Sequence, residues 1–290
     1  MRTYEQLTQI LTQIKSNDYE IPDDVNIDEL ISDMLNYIGD TDGELRDKLI
    51  YSAFNQWSYK TLTQAQIRHI LFTCIGEQYL FKGIGESGTD TVFTRAFSSL
   101  PISLAFCMHD DTPFLTVDEI NNVKNTVMRY AAEERDYRGY VDGKGWAHAI
   151  AHLADALANI FGVDKAVDIE SEYSASREDL EKGLGVIKML VCNKEYVYTA
   201  EEDERLIPVF FSICSNEMFT TSEIIAWLDS FNMEDKEWWS GAVPDSFNLH
   251  LNRKTFMRSL YFQLLECKDD EFDEISVREI DKHVLSFLVE

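Results

Sequence analysis

The chain has 290 residues, 45% hydrophobic and 27% charged, enough apolar material for a large buried core. Its 52 Asp and Glu residues against 26 Lys and Arg give a formal charge of −26. Such a surface repels nucleic acid and anionic lipid, whose affinity for proteins comes from neutralised phosphates, so nucleic-acid and membrane partners are excluded as expectations.

The pattern along the chain is helical almost throughout. The opening, MRTYEQLTQILTQIKSNDYE, is a polar amphipathic stretch within residues 1–25 that reads as an N-terminal cap helix and lacks the apolar core of a signal peptide. NIDELISDMLNYIG places Ile27, Leu30, Ile31, Met34, Leu35 and Ile38 on one face. DGELRDKLIYSAFNQW continues with Leu45, Leu49, Ile50, Ala53, Phe54 and Trp57. Three further helices are predicted from TQAQIRHILFTCIGEQYLF, TDTVFTRAFSSLPISLAFCM and TVDEINNVKNTVMRYAAEER. Beyond residue 162, SREDLEKGLGVIKMLV, TAEEDERLIPVFFSICS, TSEIIAWLDSF, NLHLNRKTFMRSLYFQLLE and SVREIDKHVLSFLVE complete the series. Several open on Ser, Thr or Asp with an acidic first turn, the signature of an N-cap and a favoured macrodipole. No alternating strand stands out; EYVYTAEE (195–202) is the one β-like stretch, and a loop suits it better.

About eleven to thirteen helices with short connections predict an all-α fold, a curved superhelix of stacked helix pairs of HEAT or armadillo type. An α/α toroid, suited to enzymes acting on sugars or modified peptides, is the alternative. The clusters DGELRDKL, EERDYRGY and EEDERLIP each set Asp beside Arg near a helix start and hint at a degenerate repeat, with the Asp–Arg pair tying one turn to the next. No Pro-, Gly- or Ser-rich linker divides the chain, so residues 1–290 read as one helical domain. No segment holds the roughly 18 consecutive apolar residues of a membrane span. The five cysteines are odd in number, widely spaced and set among apolar residues, which predicts reduced core thiols in a cytoplasm.

GIGESG supplies Gly83, Gly85 and Gly88 in the spacing of a dinucleotide fingerprint. That fingerprint works between a strand and a helix, and here a helix precedes it. Glu86 and Asp90 also stand where phosphate would bind, so the loop is expected to end one helix and open the next, with Thr89 or Asp90 as N-cap. EWWSGAVPDSF reads as a turn-rich loop and CKDDEFDEIS as an acidic solvated run.

RDYRGYVDGKGWAHAIAHLADALANIFG (135–162) carries the candidate site. A helix is predicted from near Asp142 to Gly162. At about 100° per residue His148, His152, Asp155 and Asn159 then share about 60° of arc, on a helix otherwise apolar and therefore buried. Surface stripes favour Lys and Glu, so this one is expected to face a cleft or an internal polar network. Two histidines at i and i+4 have metal-ligand spacing, with Asp155 one turn on, and a divalent metal is the only cofactor considered. The glutamate of H-E-x-x-H is missing, since Ala149 stands there. Gly139, Gly143 and Gly145, interleaved with Tyr137, Tyr140 and Trp146, suggest a ligand pocket completed by Arg138. Arg95, in an apolar helix, needs a carboxylate partner, for which Asp136 or Asp155 is expected. The predicted cleft is lined by Arg95, Asp136, Arg138, His148, His152 and Asp155. Two functions fit: a module binding a protein, peptide or small molecule, or a hydrolase. The hydrolase would use His148 and His152, with Asp155 or Asp136 as orienting carboxylate.

TDTVFTRAFSSL, ERDYRGYVDGKGWAHAIAHLADAL and EEDERL together resemble a bacterial family known as domain of unknown function 2785, from DGELRDKL onward. The resemblance implies a cytoplasmic all-helical protein and brings no assigned activity. The family pattern has TRSFS where this chain has TRAFS at 94–98, so Ala96 removes a hydroxyl from that cluster.

Overall fold

A computed structural model describes residues 1–162, 173, 175–231, 244–266 and 279–285. Mostly helical, with one two-stranded sheet among the described residues, it is of the all-α class. The chain divides into two compact units, Met1–Ser174 and Ala175–Glu290, where the undivided sequence reads as one domain.

The first unit begins with α1 (Tyr4–Ser16), which buries Leu7, Leu11 and Ile14, and α2 (Ile27–Asn36). A π-helical segment, Glu44–Tyr51, runs directly into α3 (Ser52–Lys60). Then come α4 (Gln64–Cys74), α5 (Thr91–Asp111) and α6 (Val117–Glu133). A hairpin of β1 (Tyr140–Val141) and β2 (Gly145–Trp146) precedes α7 (Ala149–Gly162). Side-chain oxygens start the helices as their sequences lead one to expect. Thr3, Thr63 and Thr116 form reciprocal capping boxes with Gln6, Gln66 and Glu119, and Asn26 accepts from the Asp28 and Glu29 amides.

Named pairs fix the helix directions. Phe97 meets His152 near the start of α5 and α7, and Ser103 meets Asn159 farther along both, so the two helices run parallel. Arg46 lies over Phe93 and Phe97, while Ser58 and Tyr59 share a cleft with Leu104 and Met108, so 44–60 runs parallel to α5 too. In the same way Arg68 of α4 pairs with Glu119 of α6, and Glu77, just past α4, pairs with Arg129 between two and three turns on. Alternate helices are therefore parallel, and the intervening ones carry the chain back. Trp57, Phe54, Phe93, Phe106, Tyr130 and Phe161 fill this unit's core. Helix α5 has the length and composition of a membrane span, yet it is mostly buried inside the unit and carries Arg95.

The second unit comprises α8 (Arg177–Val191), α9 (Glu202–Cys214), α10 (Thr221–Asp229) and α11 (Pro244–Glu266), with residues 279–285 also helical. Asn252 accepts from the Tyr198 amide just ahead of α9, and Ser259 donates to Asp203, so α9 and α11 are parallel. Phe231 stacks on Phe256 in its core. Residues 196–199 form neither helix nor strand. Most of EWWSGAVPDSF and all of CKDDEFDEIS lie outside the described residues.

Candidate functional site

The structure corrects the predicted long helix. Residues 140–146 are the hairpin, with Tyr140 opposite Trp146 and Val141 opposite Gly145. The loop 142–144 is of the three-residue kind that needs a left-handed residue, and Gly143 and Gly145 supply φ values of 74° and 82°. The glycine density that suggested close approach to a ligand is thus hairpin chemistry. His148, at φ 51°, turns the chain into α7, its amide donating to the Arg138 carbonyl at 3.2 Å. The helix starts one residue later, so the four-residue polar stripe reduces to His152, Asp155 and Asn159.

Arg46, with no exposed surface, holds the hairpin in place. Its guanidinium donates to the backbone carbonyls of Asp40 at 2.6 Å, Lys144 at 3.0 Å and Trp146 at 3.0 Å. Its Nε lies 2.8 Å from Asp47, and its face lies 4.4 and 4.5 Å from the Phe93 and Phe97 ring centroids. Burial lowers the Arg46 pKa and raises that of Asp47, each partly offset by the other's charge.

Around this anchor the aromatic groups form a chain of ring contacts. Tyr140 meets Trp146 edge-on at 5.0 Å, and Trp146 stacks on His148 at 4.2 Å with 25° between planes. His148 meets His152 at 5.8 Å, and His152 meets Phe97 at 5.0 Å. The inner end is packed in the protein, whereas Tyr140 and Trp146 are 57% and 41% exposed.

A second cluster joins Arg95 to Glu134, not to Asp136 or Asp155 as the sequence suggests. The Arg95 Nε and Nη2 donate to the two Glu134 oxygens at 2.7 and 2.8 Å, and both side chains are fully buried. The remaining Arg95 donors reach the carbonyls of Lys82, Gly83 and Glu86 and the Thr91 hydroxyl. Burial alone would lower the Arg95 pKa, but the hydrogen bonds and charge of Glu134 raise it. Asp136, also fully buried, accepts from the Gly88 amide at 2.9 Å and from the Arg138 Nε and Nη2 at 2.8 and 2.6 Å. Lys144 donates to both oxygens of Asp90. Arg95 and Asp136 tie the 82–90 loop to the 134–138 segment. Gly83, Gly85 and Gly88 have positive φ, Asp90 occupies the N-cap position of α5, and Glu86 accepts from the Thr89 and Thr91 hydroxyls. The loop closes on its own carboxylate, as a helix-opening turn does.

Asp155 and Asn159 lie half-buried along the α5 face of α7. Asn159 donates to Ser103 at 2.7 Å and to the Asp155 carbonyl, and it accepts from the Cys107 thiol at 3.1 Å. Burial raises the Cys107 pKa, and Asp110, Asp111 and Asp155 raise it further, which disfavours the thiolate. Among the described residues, no three His, Cys, Asp or Glu side chains are placed to hold a metal ion. A surface cleft of about 600 Å³ lies in the second unit beside Asp203 and Ser259.

Sequence reasoning missed Arg46, Glu134 and His109. The first two sit inside the charged clusters DGELRDKL and EERDYRGY, where the choice of ion-pair partner was the unreadable step. Buried His109 accepts from the Phe114 and Leu115 amides at 2.9 and 3.0 Å and so closes the turn after α5. Its signal was a histidine in the last turn of a helix followed by Thr-Pro.

A family model described as "Protein of unknown function (DUF2785)" matches residues 80–262. No curated protein and no solved structure matches the chain.

Proposed function

The chain belongs to the DUF2785 family, and on that footing we propose that it is a binding module whose contact surface is the β1–β2 hairpin. The observation that carries this reading is the exposure of Tyr140 and Trp146 on a backbone pinned by a fully buried arginine. Large rings held rigidly at a surface lose little entropy on contact and are the usual anchors of protein interfaces. Arg95 and Arg138, which the sequence suggested as ligand-binding, and Asp136, suggested as an orienting carboxylate, are engaged in bonds that hold loops together. The parallel alternation of helices in each unit supports a stack of helix pairs of the HEAT type, a scaffold that presents such a surface. Four described cysteines without disulfides fit a reducing cytoplasm. The partner is a protein or peptide, and the acidic charge disfavours nucleic acid and membrane.

The test compares immobilised parent protein with the Tyr140→Ala/Trp146→Ala variant in a cytosolic extract, followed by competition with free protein. Proteins retained by the parent, displaced by competition and lost with the variant bear out the reading. Identical retention by both refutes it. A hydrolase reading draws support from the contact between the His148 and His152 imidazoles, with Asp155 on the next turn. It requires an activity, or a metal bound in stoichiometric amount, that His148→Ala and His152→Ala each abolish.

A further inference from the structure

The hairpin's surroundings say what kind of partner it suits. Residues 40–48, 86–95 and 133–148, which meet around the hairpin and the Arg46 and Arg95 anchors, hold ten carboxylates against six cations. Each of the six has a partner: Lys48 pairs with Glu44 and Arg135 donates to the Glu134 carbonyl. Arg46 is buried against three carbonyls, Arg95 is locked to Glu134, Arg138 donates to both Asp136 oxygens and Lys144 to both Asp90 oxygens. The ten carboxylates outnumber these cations by four, so the charge around the hairpin is net negative, with Asp142 exposed in its loop and Asp90 sharing its charge with Lys144. The whole chain adds a formal charge of −26.

The rings have the matching geometry. His148 covers one face of the Trp146 indole, and Tyr140 stands across from it at 80° and 5.0 Å, so two exposed rings form a right-angled corner. A cation over an aromatic face is attracted by the ring quadrupole, and the methylenes of Lys or Arg pack on the ring while the charged head stays near carboxylates. An acidic partner would be repelled here, and a purely apolar one would leave the net-negative surround without counter-charges.

We propose that the Tyr140–Trp146 corner, with Asp142 in the adjoining loop and a net-negative surround, is a docking site for an arginine- or lysine-bearing segment of a partner protein. This rests on the binding-module reading above and adds the partner's chemistry. The occupant places one cationic side chain against the rings and others over the surround. The net negative field speeds its approach, and salt weakens the surrounding charge contacts more than the ring contact.

The experiment uses the full chain and two synthetic 12-residue peptides, one carrying four alternating Arg and Lys residues and one with Glu at those four positions. Affinity is measured by fluorescence anisotropy at 150 mM salt, and contact with the ring by the indole N–H resonance of Trp146, assigned with Trp146→Phe. The expected result is binding of the cationic peptide alone, with a shifted Trp146 resonance. Trp146→Ala then weakens binding at least tenfold and Tyr140→Ala severalfold. Glu178→Gln/Glu181→Gln on α8 removes two exposed negative charges elsewhere and changes affinity less than twofold. Both aromatic variants leave the fold intact, checked by circular dichroism, because the rings they remove are exposed. Binding that survives Trp146→Ala within twofold overturns the proposal, since bulk charge then explains it. Failure of the cationic peptide to bind overturns it as well. A preference for the glutamate peptide at Trp146 overturns the partner's charge but leaves the hairpin a binding surface. The extract experiment tests the hairpin separately, so failure of the partner chemistry and failure of the binding reading are told apart.

Discussion

Replacing Arg95 by Met keeps most of the side-chain length and removes the charge. It strands the Glu134 carboxylate, which is fully buried and keeps the Arg135 and Asp136 amides as donors, both at 2.8 Å. It also takes donors from the carbonyls of Lys82, Gly83 and Glu86. Removing one partner of a buried pair costs about 3–5 kcal/mol, which is a large share of the roughly 5–15 kcal/mol that holds a domain folded. Glu134→Gln keeps the shape and one acceptor and should cost less, about 1.5–3 kcal/mol for hydrogen bonds to a charged group. Removing both ends with Arg95→Met/Glu134→Leu should recover part of the loss, because no buried charge is left alone. Urea unfolding of the four proteins gives the cycle. Amide exchange at Ile84 and Glu86 reports the same event locally, since Arg95 anchors that loop. A loss below about 1 kcal/mol for Arg95→Met, with unchanged exchange at those amides, would refute the claim that the pair welds the loops.

His109 should make stability depend on pH. Burial lowers its pKa from the ordinary 6.5, so the unfolded chain binds the proton more readily. Its contribution is full above pH 6.5 and is lost as pH falls through that value toward the folded pKa. His109→Ala should therefore flatten the parent's fall in urea midpoint from pH 7.5 to pH 5 and cost about 1–3 kcal/mol at the upper end; parallel slopes in parent and variant would contradict this. Gly39→Ala would put its Cβ 2.1 Å from the Thr94 hydroxyl and 2.4 Å from the Thr94 Cα. Backbone cannot yield as a flexible side chain does, so a loss above about 3 kcal/mol is expected from thermal or urea unfolding. Gly145→Ala adds a Cβ 3.2 Å from the Arg46 guanidinium at a φ of 82°, and the left-handed backbone alone costs about 1–2 kcal/mol. The hairpin should loosen, seen as a red shift of tryptophan emission that Trp146→Phe abolishes.

The helices were legible because burial periodicity and capping are local. Leu45, Leu49, Ile50, Ala53, Phe54 and Trp57 all face the core, and Thr63, Thr116, Ser176 and Thr220 all cap. The hairpin was missed because it has two residues per strand, too few for alternation to register, and its glycines resemble those of a ligand loop. His148 and His152 retain their proximity although His148 is not helical, since a residue just ahead of a helix still sits one turn from its fourth residue. The partner of Arg95 was illegible for another reason. Glu134 and Asp136 are two residues apart in an extended segment and both are buried, so which of them meets Arg95 depends on the loop 82–90 that faces them.

These residues share one device that accounts for most of the polar groups once read as chemical. A buried polar side chain on a helix binds the backbone of a neighbouring loop. Arg46 does so to the carbonyls of residues 40, 144 and 146, and Arg95 to those of 82, 83 and 86. In the second unit Asn252 of α11 donates to the carbonyls of Asn193 and Tyr196 and accepts from the Tyr198 amide. A loop carbonyl buried without a donor costs about 1–3 kcal/mol, so every buried loop in a stack of helices needs such a donor. Arginine and asparagine serve because their several donors span carbonyls that one turn of chain holds at different angles. Once that need is met at each loop, the groups left for contact with another molecule are those that face outward, and at the hairpin these are Tyr140 and Trp146.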